Sequence, residues 1–304
     1  MKENYLIEKK PAIKRGWLRA LLFLIAFLIL YAVIQGIAVF IIAAVLNIPL
    51  SDFETLFTDP NKLGIQFILT SSTLVITILI AWIFMRYVDR KSFISMGFEL
   101  KGKSKDIIYG FLVGLVLIFL GFVILNLTNF LEVVSIEYSS KIVFGGFFLF
   151  VIAAIIEEIV FRGYVLNNLM DSIKNKYIAL LISAILFALL HGVNPNLSIL
   201  GFINLIIAGI ALGITYIHTK NLWFPIFLHI SWNFFQGPIF GFEVSGSSFN
   251  SIIQQKVIGN DIITGGNFGF EGSIIITVLL IGMILTIDQI YRRKKIPSIK
   301  SSIN

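Results

Sequence analysis

Three constellations of ionisable and amide side chains recur at helical spacing in the second half of this 304-residue chain. Glu157-Glu158-x-x-x-Arg162 comes first, Phe187-x-x-x-His191 second and His229-x-x-x-Asn233 third. All three sit in apolar runs; Phe147 to Ile156, directly before Glu157, contains no polar side chain. An ionised side chain costs about 2.5–3.5 kcal/mol near the centre of a bilayer on insertion scales, so such a cluster needs a compensating use. Glu158 and Arg162 are four apart with the acid N-terminal to the base, the arrangement an ion pair on one helix face prefers. That pairing would keep Glu158 ionised and cancel two charges. Glu157, about 100° further round the helix, is left to accept a proton from water, the alternative being a cation on another helix. Phe187 with His191 and His229 with Asn233 each share a face. Either pair alone reads equally well as a helix cap or as interhelical glue worth about 0.6–2 kcal/mol. Carboxylate, imidazole and amide together inside a membrane point to water activation.

The elements that must position these groups follow from composition. The chain is 57% hydrophobic and 13% charged, with a mean hydropathy of +0.92, whereas soluble domains carry about 25% charged residues. Too little polar surface exists to clothe a soluble globule. Eight apolar runs, near 17–46, 64–87, 107–130, 143–166, 177–193, 198–217, 222–240 and 273–291, approach or exceed the roughly 20 residues that cross a bilayer of about 30 Å. The fold class is therefore an all-α polytopic membrane protein, a bundle of about eight transmembrane helices. With the N-terminus in the cytoplasm, 21 of the 24 basic residues fall on the inner side and only Lys62, Lys141 and Lys256 outside. The positive-inside rule then places both termini in the cytoplasm. The charge of +7 is thus a topology signal that meets anionic membrane lipids, and nucleic acid is excluded as a partner. The first run is too long for a signal-peptide core and reads as a retained span. Without cysteine there is no disulfide, thiolate nucleophile or cysteine metal ligand.

Three regions are expected: helices 1–3 over residues 1–142, a core of helices 4–7 over 143–240, and an outer loop, helix 8 and basic tail over 241–304. His218 reads as an interface residue, Asp288 and Arg292 as a headgroup-level i,i+4 pair, and Asp106 as a helix N-terminal acid suited to the dipole. Asn204 and Gln35 suit interhelical hydrogen bonds. The stretch from Gly265 to Gly272 reads as a flexible loop, with a lid as the alternative. No half-repeats with broken helices are visible, which argues against a transporter.

The ordered set of three motifs resembles the CAAX-protease and bacteriocin-processing family of intramembrane endopeptidases, also called the Abi family. The resemblance covers residues 143–240. It implies an endopeptidase that hydrolyses a peptide bond of a membrane-associated protein or peptide, with bacteriocin processing or self-immunity as the biological setting. It also implies that Glu157 and His191 activate the water and that His229 and Asn233 stabilise the oxyanion. Glu158, Arg162 and Phe187 would support them. Glu157, His191 and His229 would suit a divalent metal such as zinc with an open fourth position, although their spacing is not that of a helical HExxH site; the cofactor is left open. A non-catalytic membrane scaffold or immunity protein of the same fold is the alternative. The isoleucine-, lysine- and asparagine-rich composition looks bacterial, which points to a multi-pass protein of a bacterial cell membrane. One geometric demand is explicit. A helix starting near Tyr177 puts His191 about 21 Å from its cytoplasmic end, so helix 5 must start deep or tilt to meet Glu157 and His229.

Overall fold

The computed structural model of the chain describes residues 10–49, 56 and 59–294. Both chain ends, placed in the cytoplasm by charge count, lie outside these residues. All eight apolar runs are helical. They are α1 (Gly16–Leu46), α2 (Leu63–Asp89), α3 (Ser104–Leu127), α4 (Ser140–Ser172), α5 (Lys176–Leu190), α6 (Ile199–Thr219), α7 (Trp223–Phe234, extended by a π-helical stretch Phe235–Ile239) and α8 (Ile274–Lys294). Among the described residues six of these, α1–α4, α6 and α8, are long and apolar enough to cross a membrane, and α5 is a shorter apolar helix. Large apolar side chains such as Phe40, Val45, Leu79 and Val278 stay exposed on the outside of the bundle, where a soluble protein would carry charge. The molecule is an all-α polytopic membrane fold.

Local sequence sets the helix starts. Ser139 accepts from Ile142 N–H at 3.4 Å, Asn175 from Tyr177 N–H at 3.0 Å and Ser198 from Gly201 N–H at 3.0 Å, opening α4, α5 and α6. Each side chain satisfies an amide that the helix itself leaves unpaired. Glycine sets the closest crossing. A Cβ on Gly110 would lie 2.4 Å from the Phe224 carbonyl oxygen, and one on Gly114 2.7 Å from that of Leu228. This small-xxx-small face lets the α3 and α7 backbones touch.

Buried polar contacts fix the outer helices. Gln35 Nε2 donates to the Leu69 carbonyl and to the Ser72 and Thr73 hydroxyls, tying α1 to α2. Asn204 Nδ2 donates to the Glu271 and Ser273 carbonyls, joining α6 to the start of α8. Both fulfil their expected interhelical role. Arg19, only a topology charge in the sequence, is 2% exposed and paired with Asp89 at 2.6 Å and Asp171 at 3.0 Å. Asp89 also accepts from the Tyr164 hydroxyl, so α1, α2 and α4 are knotted at one end.

Two departures concern the opposite end. The third helix stops at Leu127, not near residue 130, and a strand β1 (Leu131–Ile136) follows. It pairs antiparallel with β2 (Ile253–Val257), inside the segment read as loop, in the register Leu131↔Val257 with an irregularity between Val133 and Ser135. Val133, Val134 and Ile136 supply the β-branched residues such a ribbon favours.

Candidate active site

The three motifs meet. α4 does not end near residue 166 but runs on through a π-helical stretch, Ile159–Leu166, to Ser172. Glu157 and His191 each then lie 15 residues from the basic end of their helix, about 22 Å, which removes the geometric demand without a deep start for α5. α7 instead begins inside the protein, against the chain at Gly97 and Glu99. Leu222 is fully buried, its N–H donates to the Gly97 carbonyl at 2.9 Å, and Asn221 Nδ2 donates to the Glu99 carbonyl at 2.8 Å. His229 therefore reaches the same level after less than two turns. π-Helical turns widen a helix locally and gather at functional sites; this one starts directly after Glu158.

Glu157 Oε2 stands 3.7 Å from His191 Nε2 and 3.7 Å from His229 Nε2. The partner of each second ring nitrogen fixes the tautomer. His191 caps α5, and its Nδ1 lies 2.8 Å from the Phe187 carbonyl oxygen, which can only accept. Nδ1 therefore carries the proton and Nε2 faces Glu157. His229 Nδ1 lies 2.9 Å from Glu158 Oε1, so its Nε2 is likewise turned to Glu157. Three oxygen and nitrogen atoms with lone pairs thus converge on one space, the surroundings a donor such as water needs.

The supporting residues hold that arrangement. Glu158 is fully buried and its Oε1 also accepts from Arg162 Nη1 at 2.9 Å. The expected i,i+4 pair exists, but Glu158 serves His229 as well, which spacing along one helix cannot reveal. Arg162, 1% exposed, sends Nη2 to the Gly209 carbonyl at 3.1 Å. Its guanidinium carbon sits 4.8 Å from the Phe187 ring centre, and that ring lies 4.3 Å from His191. Phe187 thus spaces the buried ion pair from the imidazole.

These groups line a cavity of about 280 Å3, whose walls include Glu157, His191, His229, Asn233, Trp232 and Glu271. Asn233 stands one turn after His229 on α7, 8% exposed. A larger, mostly apolar cavity of about 620 Å3 meets Glu157 and His191 from the side of α1 and α2, along Phe27, Tyr31 and Leu149. Asp288 and Arg292 do pair, at 2.6 Å, and His218 Nε2 reaches the same carboxylate at 2.8 Å. Neither His218 nor Asp288 lines the 280 Å3 cavity.

Zinc ligands at about 2.0–2.1 Å in a tetrahedron lie about 3.3–3.4 Å apart, closer than the 3.7 Å seen here. Among the described residues no three His, Asp or Glu side chains are placed to hold a metal ion. The proposed ligand set Glu157, His191 and His229 does not fit as it stands, and no step below is routed through a metal.

Sequence reasoning missed Glu271. Its Oε1 accepts from Trp232 Nε1–H at 3.1 Å, and its Oε2 from the N–H and hydroxyl of Ser245, both at 2.8 Å. Burial raises its carboxyl above the ordinary range, and these donors oppose that shift. The glycine-rich stretch is what presents it. Gly265 at φ +93° and Gly269 at φ +94° would place a Cβ 1.9 Å from the Gly269 oxygen and 2.0 Å from the Glu243 oxygen respectively. A lone acid among obligatory glycines was the available signal. Within the stretch, short turns at Gly266–Phe268 and Phe270–Gly272 carry Glu271 to the cavity wall.

The chain matches no curated protein and no solved structure. Residues 139–235, about a third of the chain and the segment bearing all seven motif residues, match the family model of the type II CAAX prenyl endopeptidases, Rce1-like, the CAAX-protease family that the three motifs resemble.

Proposed function

We propose that the chain is an intramembrane endopeptidase that uses a side-chain-activated water. The observation that carries this reading is the convergence of Glu157 Oε2 with the Nε2 atoms of His191 and His229, each at 3.7 Å, inside a shared cavity. A water there donates to Glu157 and is held by His191. Glu157 takes its proton as the oxygen attacks the peptide carbonyl carbon. The oxyanion of the tetrahedral intermediate is met by the Asn233 amide and by His229 Nε2 in its protonated form, while Glu158 holds the other ring nitrogen. Glu157 then returns the proton to the leaving nitrogen as the C–N bond breaks, giving a carboxylate and an amine.

The substrate is a membrane-associated peptide or protein, consistent with an apolar side cavity that reaches Glu157, and bacteriocin maturation or self-immunity in a bacterial membrane is the proposed setting. The test is incubation of the protein in liposomes with a library of peptides carrying apolar C-terminal segments, read by mass spectrometry. New termini are expected from the wild type and not from Glu157→Gln. Equal products from both, or none from either across the library, would favour the scaffold reading.

A further inference from the structure

Away from the catalytic cavity, a crevice of about 660 Å3 opens between α3 and α8 at the basic end of the bundle. Its walls change character with depth. Lys103, Lys105 and Tyr109 line it near the start of α3, and Leu112, Val116 and Ile287 line it further along the two helices, with Leu112 and Val116 half-exposed. Along α3 the residues 105, 109, 112 and 116 recur at helical spacing and form one stripe. From Lys105 to Val116 this stripe descends about 16 Å. α3 cannot close the gap by sliding toward α8, because Gly110 and Gly114 hold its other face against α7.

Two features of the mouth favour an anion, and a third, deeper in, asks for a hydrogen-bond acceptor. α3 is 24 residues long and its N-cap, Lys103, makes no side-chain capping bond; Asp106 is the acid of its first turn, and no side chain caps the amides at its start. Lys103 is bridged to Asp106 at 3.3 Å, whereas Lys105 forms no ion pair among the described residues. Deeper in, Thr215 is 1% exposed, lines the crevice, and its Oγ1 has no hydrogen-bond partner among the described residues. A buried hydroxyl without a partner is costly, so its place in a ligand-sized crevice needs an acceptor. Thr215 lies one turn, about 6 Å, below the end of α6 at Thr219.

We propose that this crevice binds one anionic glycerophospholipid. The phosphate sits at the α3 N-terminus beside Lys105, an ester carbonyl accepts from Thr215 Oγ1, and one acyl chain runs down the Leu112–Val116 stripe. Asp106, neutralised by Lys103, faces the same mouth and disfavours a headgroup with a second negative charge. The site is independent of the proteolytic reading, since none of its residues touches the catalytic groups.

The experiment is native mass spectrometry and thermal melting of the full chain in detergent, titrated with phosphatidylglycerol, phosphatidylcholine or glycerol 3-phosphate. Phosphatidylglycerol is expected to bind in a one-to-one adduct and raise the melting temperature. Phosphatidylcholine should bind several-fold more weakly, and glycerol 3-phosphate should not protect. A lysine beside an anionic headgroup is worth about fivefold in affinity, so Lys105→Glu should weaken phosphatidylglycerol at least that much and leave phosphatidylcholine little changed. Val116→Trp, at a half-exposed position that tolerates bulk, should fill the crevice and abolish the adduct with the lipid-free melting temperature unchanged. Equal binding of the two lipids, protection by glycerol 3-phosphate alone, or an adduct that survives Val116→Trp would each overturn the proposal.

Discussion

Glu157 and Glu158 are neighbours of the same type, yet their surroundings predict opposite failures. Glu158→Gln keeps the shape but removes a fully buried charge whose Oε1 holds both Arg162 and His229 at 2.9 Å. Breaking a buried pair by removing one partner costs about 3–5 kcal/mol, because Arg162 is left charged and 1% exposed. Unfolding entropy of about 2.1 cal/mol/K per residue over 304 residues converts that loss to a fall of about 5–8 °C in melting temperature. Adding Arg162→Met should recover most of the stability but not the activity, since His229 still lacks its carboxylate. Glu157→Gln should barely move the melting temperature, because its carboxylate is partly exposed and, among the described residues, its ion-pair-distance neighbours are the two imidazoles at 3.7 Å. It should instead lower kcat by about 10²–10⁴ through loss of the base. Both variants would be melted in detergent and assayed on one peptide reporter. The reasoning fails if Glu157→Gln is the less stable of the two, if it still cleaves normally, or if Arg162→Met gives Glu158→Gln no relief.

Asn233→Ala should lower kcat by about 10²–10³ with little change in KM, the usual loss for one oxyanion donor; an unchanged kcat would remove Asn233 from the mechanism. Gly114→Ala places a methyl against the α7 backbone, so overpacking of about 1–3 kcal/mol should accompany lost cleavage as His229 and Asn233 shift, and neutrality in both assays would refute the close crossing. Burial raises the carboxyls of Glu271 and Glu243 in the 241–272 cover. Groups raised on folding stabilise at low pH and lose that contribution as pH climbs through their folded values. Protection factors in the cover, amide exchange corrected for its intrinsic rise with pH, should therefore fall as pH climbs above the ordinary glutamate range, with a shallower fall in Glu243→Gln, and pH-independent protection would contradict it. Reporter fusions after Lys220 and after Gly259 should read cytoplasm and exterior respectively, and the reverse at either site would invert the proposed topology.

The helices were legible because uninterrupted apolar runs admit little else in a bilayer, and Ser139, Asn175 and Ser198 mark three starts. The meeting of Glu157, His191 and His229 was legible because polar groups on a spanning helix must turn inward. What escaped depends on partners far along the chain. Arg19 and Asp89 are 70 residues apart and Glu158 and His229 are 71 apart, and no local spacing links them. The extension of α4 beyond residue 166 escaped because four of the six residues from Asn167 to Ser172 are polar, so the apolar run ends before the helix does. Glu271 escaped because a charge in an outer loop reads as solvated until the fold closes over it.

The β1–β2 ribbon carries a consequence for biosynthesis. Its strands are separated by more than a hundred residues, and pairs of such long range close late, after the intervening chain is in place. Helices α4 to α7, which hold every motif residue, emerge from the ribosome before β2, Ser245 and Glu271 exist. The nascent chain therefore carries its assembled polar cluster uncovered, and only the last 60 or so residues roof it over. A ribosome-stalled chain ending near Phe240 would lack Ser245, Phe249 and Glu271, which complete the cavity wall.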